Sequence, residues 1–136
     1  MKVTVSTAKE RTFIPSWHKN KKLPEVEQIK VIYKAPSINM QESMFNAKMD
    51  MVQDDKGTMR PSMSVNIGKE EIIKTLLLRI ENLTISSAED ETVVYDITNS
   101  KQLFDAPTEN DIGGLVTEIY KFFTDVLNGK SVNEKN

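Results

Sequence analysis

Few side chains in this sequence could do chemistry. There is one histidine, His18, and no cysteine. Nucleophilic catalysis needs a base beside the nucleophile. His18 lies between Trp17 and Lys19, the setting of a solvated loop residue. No serine stands in a Gly-x-Ser-x-Gly elbow, and no Gly-x-Gly-x-x-Gly or Walker-type loop is present to cradle a phosphate. Gly113-Gly114 could offer backbone N–H groups to an anion, but close packing explains two glycines at a helix start more simply. Carboxylates gather at Asp50, Asp54 and Asp55 and in Glu89-Asp90-Glu91, in no order that matches a calcium loop. Without cysteine there is no thiolate for zinc or an iron–sulfur cluster. The residues point to a non-enzyme with no catalytic residue, no metal and no cofactor.

Two features point to binding instead. Phe13 and Trp17 are interleaved with Arg11, Lys19, Lys21 and Lys22. Aromatics that stack and lysines that neutralise phosphate suit single-stranded nucleic acid. The charge balance argues against that partner. The formal net charge is −2, and a domain built on phosphate contacts is usually strongly basic. Nucleic acid therefore stays an alternative, and Phe13 and Trp17 read as anchors that dock on protein. The second feature is methionine: six of seven lie between Met40 and Met63. Methionine is flexible and suits adaptable apolar surfaces.

Those residues need elements to carry them. Val3 and Val5 alternate as in a short strand, and Thr12 to Trp17, with Pro15, suits an edge. Val26 to Tyr33 is the strongest strand pattern: Ile29, Val31 and Tyr33 share one face, with Ile32 on the other. Ser37 caps a helix expected to run to about Met51. Met40, Met44, Ala47 and Met51 then line one face, and Phe45, Met49 and Val52 line a second. That second stripe makes Phe13, Trp17, Met40, Met44, Phe45, Met49 and Val52 the candidate protein-binding residues. Asp54 to Gly57 reads as a turn and the stretch to Ser64 as loop. A helix from Asn66 or Gly68 carries Ile72, Ile73, Leu76, Leu77 and Ile80 at helical spacing, with Glu70 and Glu71 in its first turn. Leu83–Ile85 and Val93–Ile97 form a short hairpin around a polar loop. The last helix has Thr108 and Asp111 as a capping pair, and Ile112, Leu115, Val116, Ile119, Phe122, Phe123, Val126 and Leu127 on one face. Asn128-Gly129 stops it.

The 136 residues favour one α+β domain: a short N-terminal β element, then three helices, with a small hairpin before the last. Residues 1–24 form an extended basic arm or edge strand, 25–129 the core and 130–136 a frayed tail. Residues 1–35 carry eight basic and three acidic side chains; the rest carry ten and seventeen. A basic first third and an acidic body suit self-association or an acidic partner. No apolar run nears the length of a membrane span, and no secretory leader is evident, so the expected location is the cytoplasm, with no membrane partner.

The order of elements also resembles a known family. Phe13-Ile-Pro-Ser-Trp17, Leu23-Pro24 and Glu27-Gln-Ile-Lys-Val-Ile-Tyr-Lys-Ala-Pro-Ser37 are similar to the opening of tail assembly chaperones of long-tailed bacteriophages. Ile80-Glu-Asn-Leu83, Ile97-Thr98, Gln102-Leu-Phe104, Pro107, Leu115-Val-Thr-Glu-Ile119 and the ending Glu134-Lys-Asn136 continue the likeness, while Met49 to Val65 lies outside it. The resemblance implies a non-enzymatic, self-associating protein of the host cytoplasm. It would bind the tape measure protein and keep it soluble until the tail tube polymerises around it, and its gene often also yields a longer frameshifted product. A structural tail or connector subunit of the virion is the nearest alternative.

Overall fold

The computed structural model describes residues 1–5, 8–46, 49–53, 57, 59–63 and 68–129, with 45–46, 49–53 and 59–63 described by backbone alone. The tail expected at 130–136 lies outside the described residues. Three short strands form one antiparallel sheet in the order β1-β2-β5: β1 (Arg11–Phe13), β2 (Lys30–Tyr33) and β5 (Leu77–Glu81). Their register sets Phe13 against Val31, and Val31 against Ile80. Alternation then turns Ile29, Val31, Tyr33 and Ile80 into the core, while Ile32 is buried outside that cluster, as its strand pattern foretold.

The other wall of the core is helical. Helix α2 (Lys69–Leu76) contributes Ile72, Ile73 and Leu76. Helix α3 (Ser100–Asp105) contributes Leu103, and α4 (Ile112–Leu127) contributes Leu115, Ile119, Phe122 and Phe123. The apolar stripe read along α4 is the stripe that is buried. Gly129, at φ 76°, ends the helix in the left-handed conformation that a Cβ would strain. The hairpin is present as β6 (Thr84–Ser86) paired with β7 (Val93–Asp96). Helix α3 was not foreseen; Asn99 caps it by accepting a bond from the Gln102 N–H at 2.8 Å.

Several boundaries differ from the sequence reading, and at the ends of α1 and α2 strand pairing overrode local preference. Helix α1 spans only Ile38–Asn46, with the Ser37 hydroxyl accepting from the Met40 N–H at 3.1 Å. Beyond it, β3 (Met49–Gln53) pairs antiparallel with β4 (Met59–Met63). Methionine falls at alternate positions 49 and 51 of the first run and at both ends, 59 and 63, of the second, around the Asp54–Gly57 turn signal, which is a hairpin pattern. Pro61 hid it, yet both strands of a two-stranded ribbon are edges, where proline is tolerated. Met49 and Val52 therefore do not share a helical stripe with Phe45. Helix α2 stops at Leu76, whose carbonyl accepts from the Lys34 N–H at 3.0 Å. Strand pairing with β2 claims Leu77 and Ile80, so these two are not helical. Val26 sits in a 3-10 turn, Glu25–Glu27, rather than in a strand. The side chain of Asn82 donates to the carbonyls of Val26 (3.1 Å) and Gln28 (2.8 Å), which ties that turn to the end of β5. Residues 1–5 form no strand. Thr108 does not cap α4. Asp111 occupies the cap position with left-handed backbone and makes no side-chain cap bond. Its carboxylate instead folds over Gly114, where a Cβ would collide with it.

Candidate protein-binding surfaces

The two aromatics of the N-terminal segment are held on the body. The Phe13 ring stacks on Phe122 with centroids 4.0 Å apart and 12° between planes. The Trp17 indole N–H donates to the Asp111 carbonyl at 2.8 Å, and its ring stacks on His18 at 3.8 Å. Ser16 adds two bonds to Glu118 Oε2, from its N–H at 2.6 Å and its hydroxyl at 3.2 Å. Met40 and Met44 are half-buried against the core, and the Thr75 hydroxyl lies 3.7 Å from the Met44 sulfur. Gln41 ties α1 to the end of α4 through its Nε2 and the Leu127 carbonyl. Phe45 lies in the last turn of α1, and Met49 and Val52 in β3.

The structure thus divides the seven residues. Phe13, Trp17, Met40 and Met44 pack against the domain itself, while Met49 and Val52 belong to the ribbon. The ribbon's register pairs Met49 with Met63, Met51 with Pro61 and Gln53 with Met59. Directly opposed residues share a side of a ribbon, and alternate residues return to it. Met49, Met51, Met59 and Met63 therefore occupy positions on one side, and Val52 falls on the other with Arg60. Helical spacing could not have shown this, because it groups residues three and four apart.

A second surface went unseen in the sequence. A cleft of about 380 Å³ is lined by Trp17 and His18, by Leu83, Thr84, Ile85 and Ser86, and by Pro107, Glu109, Asn110 and Ile112. Three distant segments meet there, so no local motif announces it. One wall is positioned by Asn20, which is buried. Its amide donates to the carbonyls of Pro15 (2.9 Å) and Ile29 (3.1 Å), and its oxygen accepts from the Ile29 N–H at 2.7 Å. These bonds hold the 3-10 segment Trp17–Lys22 against the start of β2. The backbone is left-handed at His18 (φ 48°) and Lys19 (φ 58°), and again at Asn110 (φ 52°) and Asp111 (φ 59°). Two strained pairs thus flank one cleft, and such strain persists only where surrounding contacts enforce it.

The best-defined ion pair lies at the edge of the three-stranded sheet. Arg79 grips Glu10 with both ends of its guanidinium, Nη1 to Oε1 at 2.9 Å and Nη2 to Oε2 at 3.1 Å, and reaches Glu81 through Nε. Hydrogen bonding from Arg79, then its charge, holds the Glu10 carboxyl below the usual carboxylate range. A depressed carboxyl contributes stability above its unfolded pKa and loses it as pH falls through the folded value. Acid below about pH 4 should therefore loosen β1 before the core. Protection from hydrogen exchange, relative to the unfolded chain at the same pH, should fall there at the β1 amides that face β2, and Glu10→Gln should lower it at neutral pH as well. Protection unchanged in both would show that Phe13 packing alone holds the strand. At the hairpin tip, the Asp90 carboxyl is held low chiefly by the Thr92 backbone N–H, 3.1 Å away.

Among the described residues no cluster of three histidine or carboxylate side chains could hold a metal ion, and no helix is long and apolar enough to cross a membrane. No family model matches the chain, and no curated protein or solved structure matches it either.

Proposed function

We propose that this protein is a non-enzymatic assembly factor of the tail-chaperone kind, binding a long, partly apolar protein such as a tape measure protein and keeping it soluble. The observation that carries the reading is the ribbon, whose register gathers four methionine positions on one side. Methionine adapts its shape to irregular apolar partners. A surface of that kind holds many weakly related segments along a long partner, and repetition multiplies weak contacts into avidity. The nucleic-acid alternative has less to work with, since the Phe13 ring is stacked on Phe122 and the Trp17 ring on His18.

The variant Met49→Ser, Met51→Ser, Met59→Ser, Met63→Ser tests the reading in co-expression with the candidate long partner. Removing four apolar side chains from a contact should weaken it by about a hundredfold or more. The partner should then move to the insoluble fraction while the variant keeps the wild-type thermal midpoint. An equally soluble partner would remove the ribbon from the contact. Mass spectrometry of particles separates the virion-subunit alternative: a chaperone is present in assembly intermediates and absent from finished particles, whereas a subunit persists in many copies.

A further inference from the structure

The cleft runs along a free strand edge. The Leu83 carbonyl accepts from the Ile97 N–H at 2.8 Å, and the Ser87 N–H donates to the Thr92 carbonyl at 2.8 Å. Residue parity in an antiparallel ladder then aims the backbone groups of Leu83, Ile85 and Ser87 at β7 and those of Thr84 and Ser86 away from it. That opposite edge is where a continued β2 would lie. Upstream of β2 the chain turns at Glu25–Glu27 and is tied by Asn82 to the end of β5, and none of these residues lines the cleft. Its inner side is apolar, with Trp17, Leu83, Ile85 and Ile112.

The chain also carries a strand-like sequence that forms no strand. Residues 1–5 belong to no element, and Val3 and Val5 are 76% and 70% exposed. Their alternation puts two valines on one face and Thr4 on the other, as a half-buried strand requires. Residues 1–9 hold Lys2 and Lys9 and no acid, while the cleft rim and hairpin tip hold Glu109, Glu89, Asp90 and Glu91. Arg11 stands level with Leu77 across Tyr33, and β1 and β5 run in the same direction, so the segment before Arg11 leaves away from Thr84. The six steps from Arg11 to Val5 span at most about 22 Å, whereas the seven from Leu77 to Thr84 amount to roughly 23 Å of strand. A neighbouring molecule's segment is under no such tether.

We infer that residues 2–5 of one copy add as a third strand to the free edge of β6 in a second copy, with Val3 and Val5 against Ile85, Ile112 and Trp17. This association uses a surface separate from the methionine ribbon. The test is sedimentation equilibrium, read beside fluorescence of Trp17, the chain's sole tryptophan. For the wild type, mass should rise with concentration and emission should shift over the same range. Val3→Asp/Val5→Asp should weaken association roughly a hundredfold with an unchanged thermal midpoint. Ser86→Pro, which removes an N–H that points away from β7, should do likewise. Mixed, the two variants should form a one-to-one pair, since one keeps the cleft and the other the strand. A synthetic peptide of residues 1–8 should shift Trp17 emission in Val3→Asp/Val5→Asp. A wild type monomeric to about millimolar concentration, association indifferent to Val3→Asp/Val5→Asp, or a peptide that leaves the emission unmoved would each overturn the inference. The last readout holds even if Ser86→Pro fails to fold. Association that the methionine variant alone abolishes would overturn this inference and leave the proposed function standing.

Discussion

Asn20→Ala is expected to destabilise the domain by about 3–5 kcal/mol, more than a surface-turn residue normally could. Asn20 is 1% exposed and makes three hydrogen bonds, all to backbone. Alanine removes those bonds and leaves the Pro15 carbonyl, the Ile29 carbonyl and the Ile29 N–H buried without them. Each stranded group costs about 1–3 kcal/mol, which is why the loss exceeds three average net bonds. Asn20→Asp separates the two sides of the latch. The carboxylate still accepts from Ile29 but meets two carbonyls where the amide had donated, so it should be no better than alanine. Urea unfolding followed by Trp17 emission and by circular dichroism measures both variants. A loss below about 1 kcal/mol would show that water replaces the side chain in the turn.

Phe123→Ala should cost a comparable amount, about 3–5 kcal/mol, by a different mechanism. The ring is fully buried, its centroid 5.5 Å from Tyr33 and 6.0 Å from Phe122. It fills the space where α4 meets the sheet, and those walls are held by strand pairing and by α2, so they collapse only in part. Against a total of about 5–15 kcal/mol, such a loss should bring unfolding near physiological temperature. Phe123→Leu should recover most of it, because that swap restores volume without a polar group. If alanine and leucine prove alike, the cavity is relaxing and the core is looser than its burial implies.

The sequence made the domain's periodic parts legible and left its junctions obscure. In α4 the helical stripe, the stop and the buried face all agree, since one element carries the whole pattern. Val31 and Tyr33 were readable for the same reason. Leu77 and Ile80 were not. Their spacing continues the α2 stripe, and only pairing with Val31 and Tyr33, more than forty residues away, makes them a strand. The helix that should have reached Met51 fails likewise, because its last third is half of a ribbon whose other half holds Pro61. Of the candidate site, the concentration of methionine was visible, but its one-sided placement depends on register. The cleft was invisible, because Trp17, Ile85 and Asn110 approach one another only after the chain has folded.

The bonds from Ser16 to Glu118 and from Trp17 to Asp111 join residues 102 and 94 positions apart. With Phe13 on Phe122, they make the earliest-made strand depend on the last-made helix. Closing loops of that length is entropically costly and is rewarded only once both ends are present. A chain emerging from the ribosome can pair β2 with β5 and form the hairpin, but it cannot seat residues 11–22 until α4 is complete. Throughout that interval the sheet's apolar face stands open. The newborn protein therefore passes through the aggregation-prone condition from which it is proposed to shield its client, and the pace of translation over the final helix sets how long that exposure lasts.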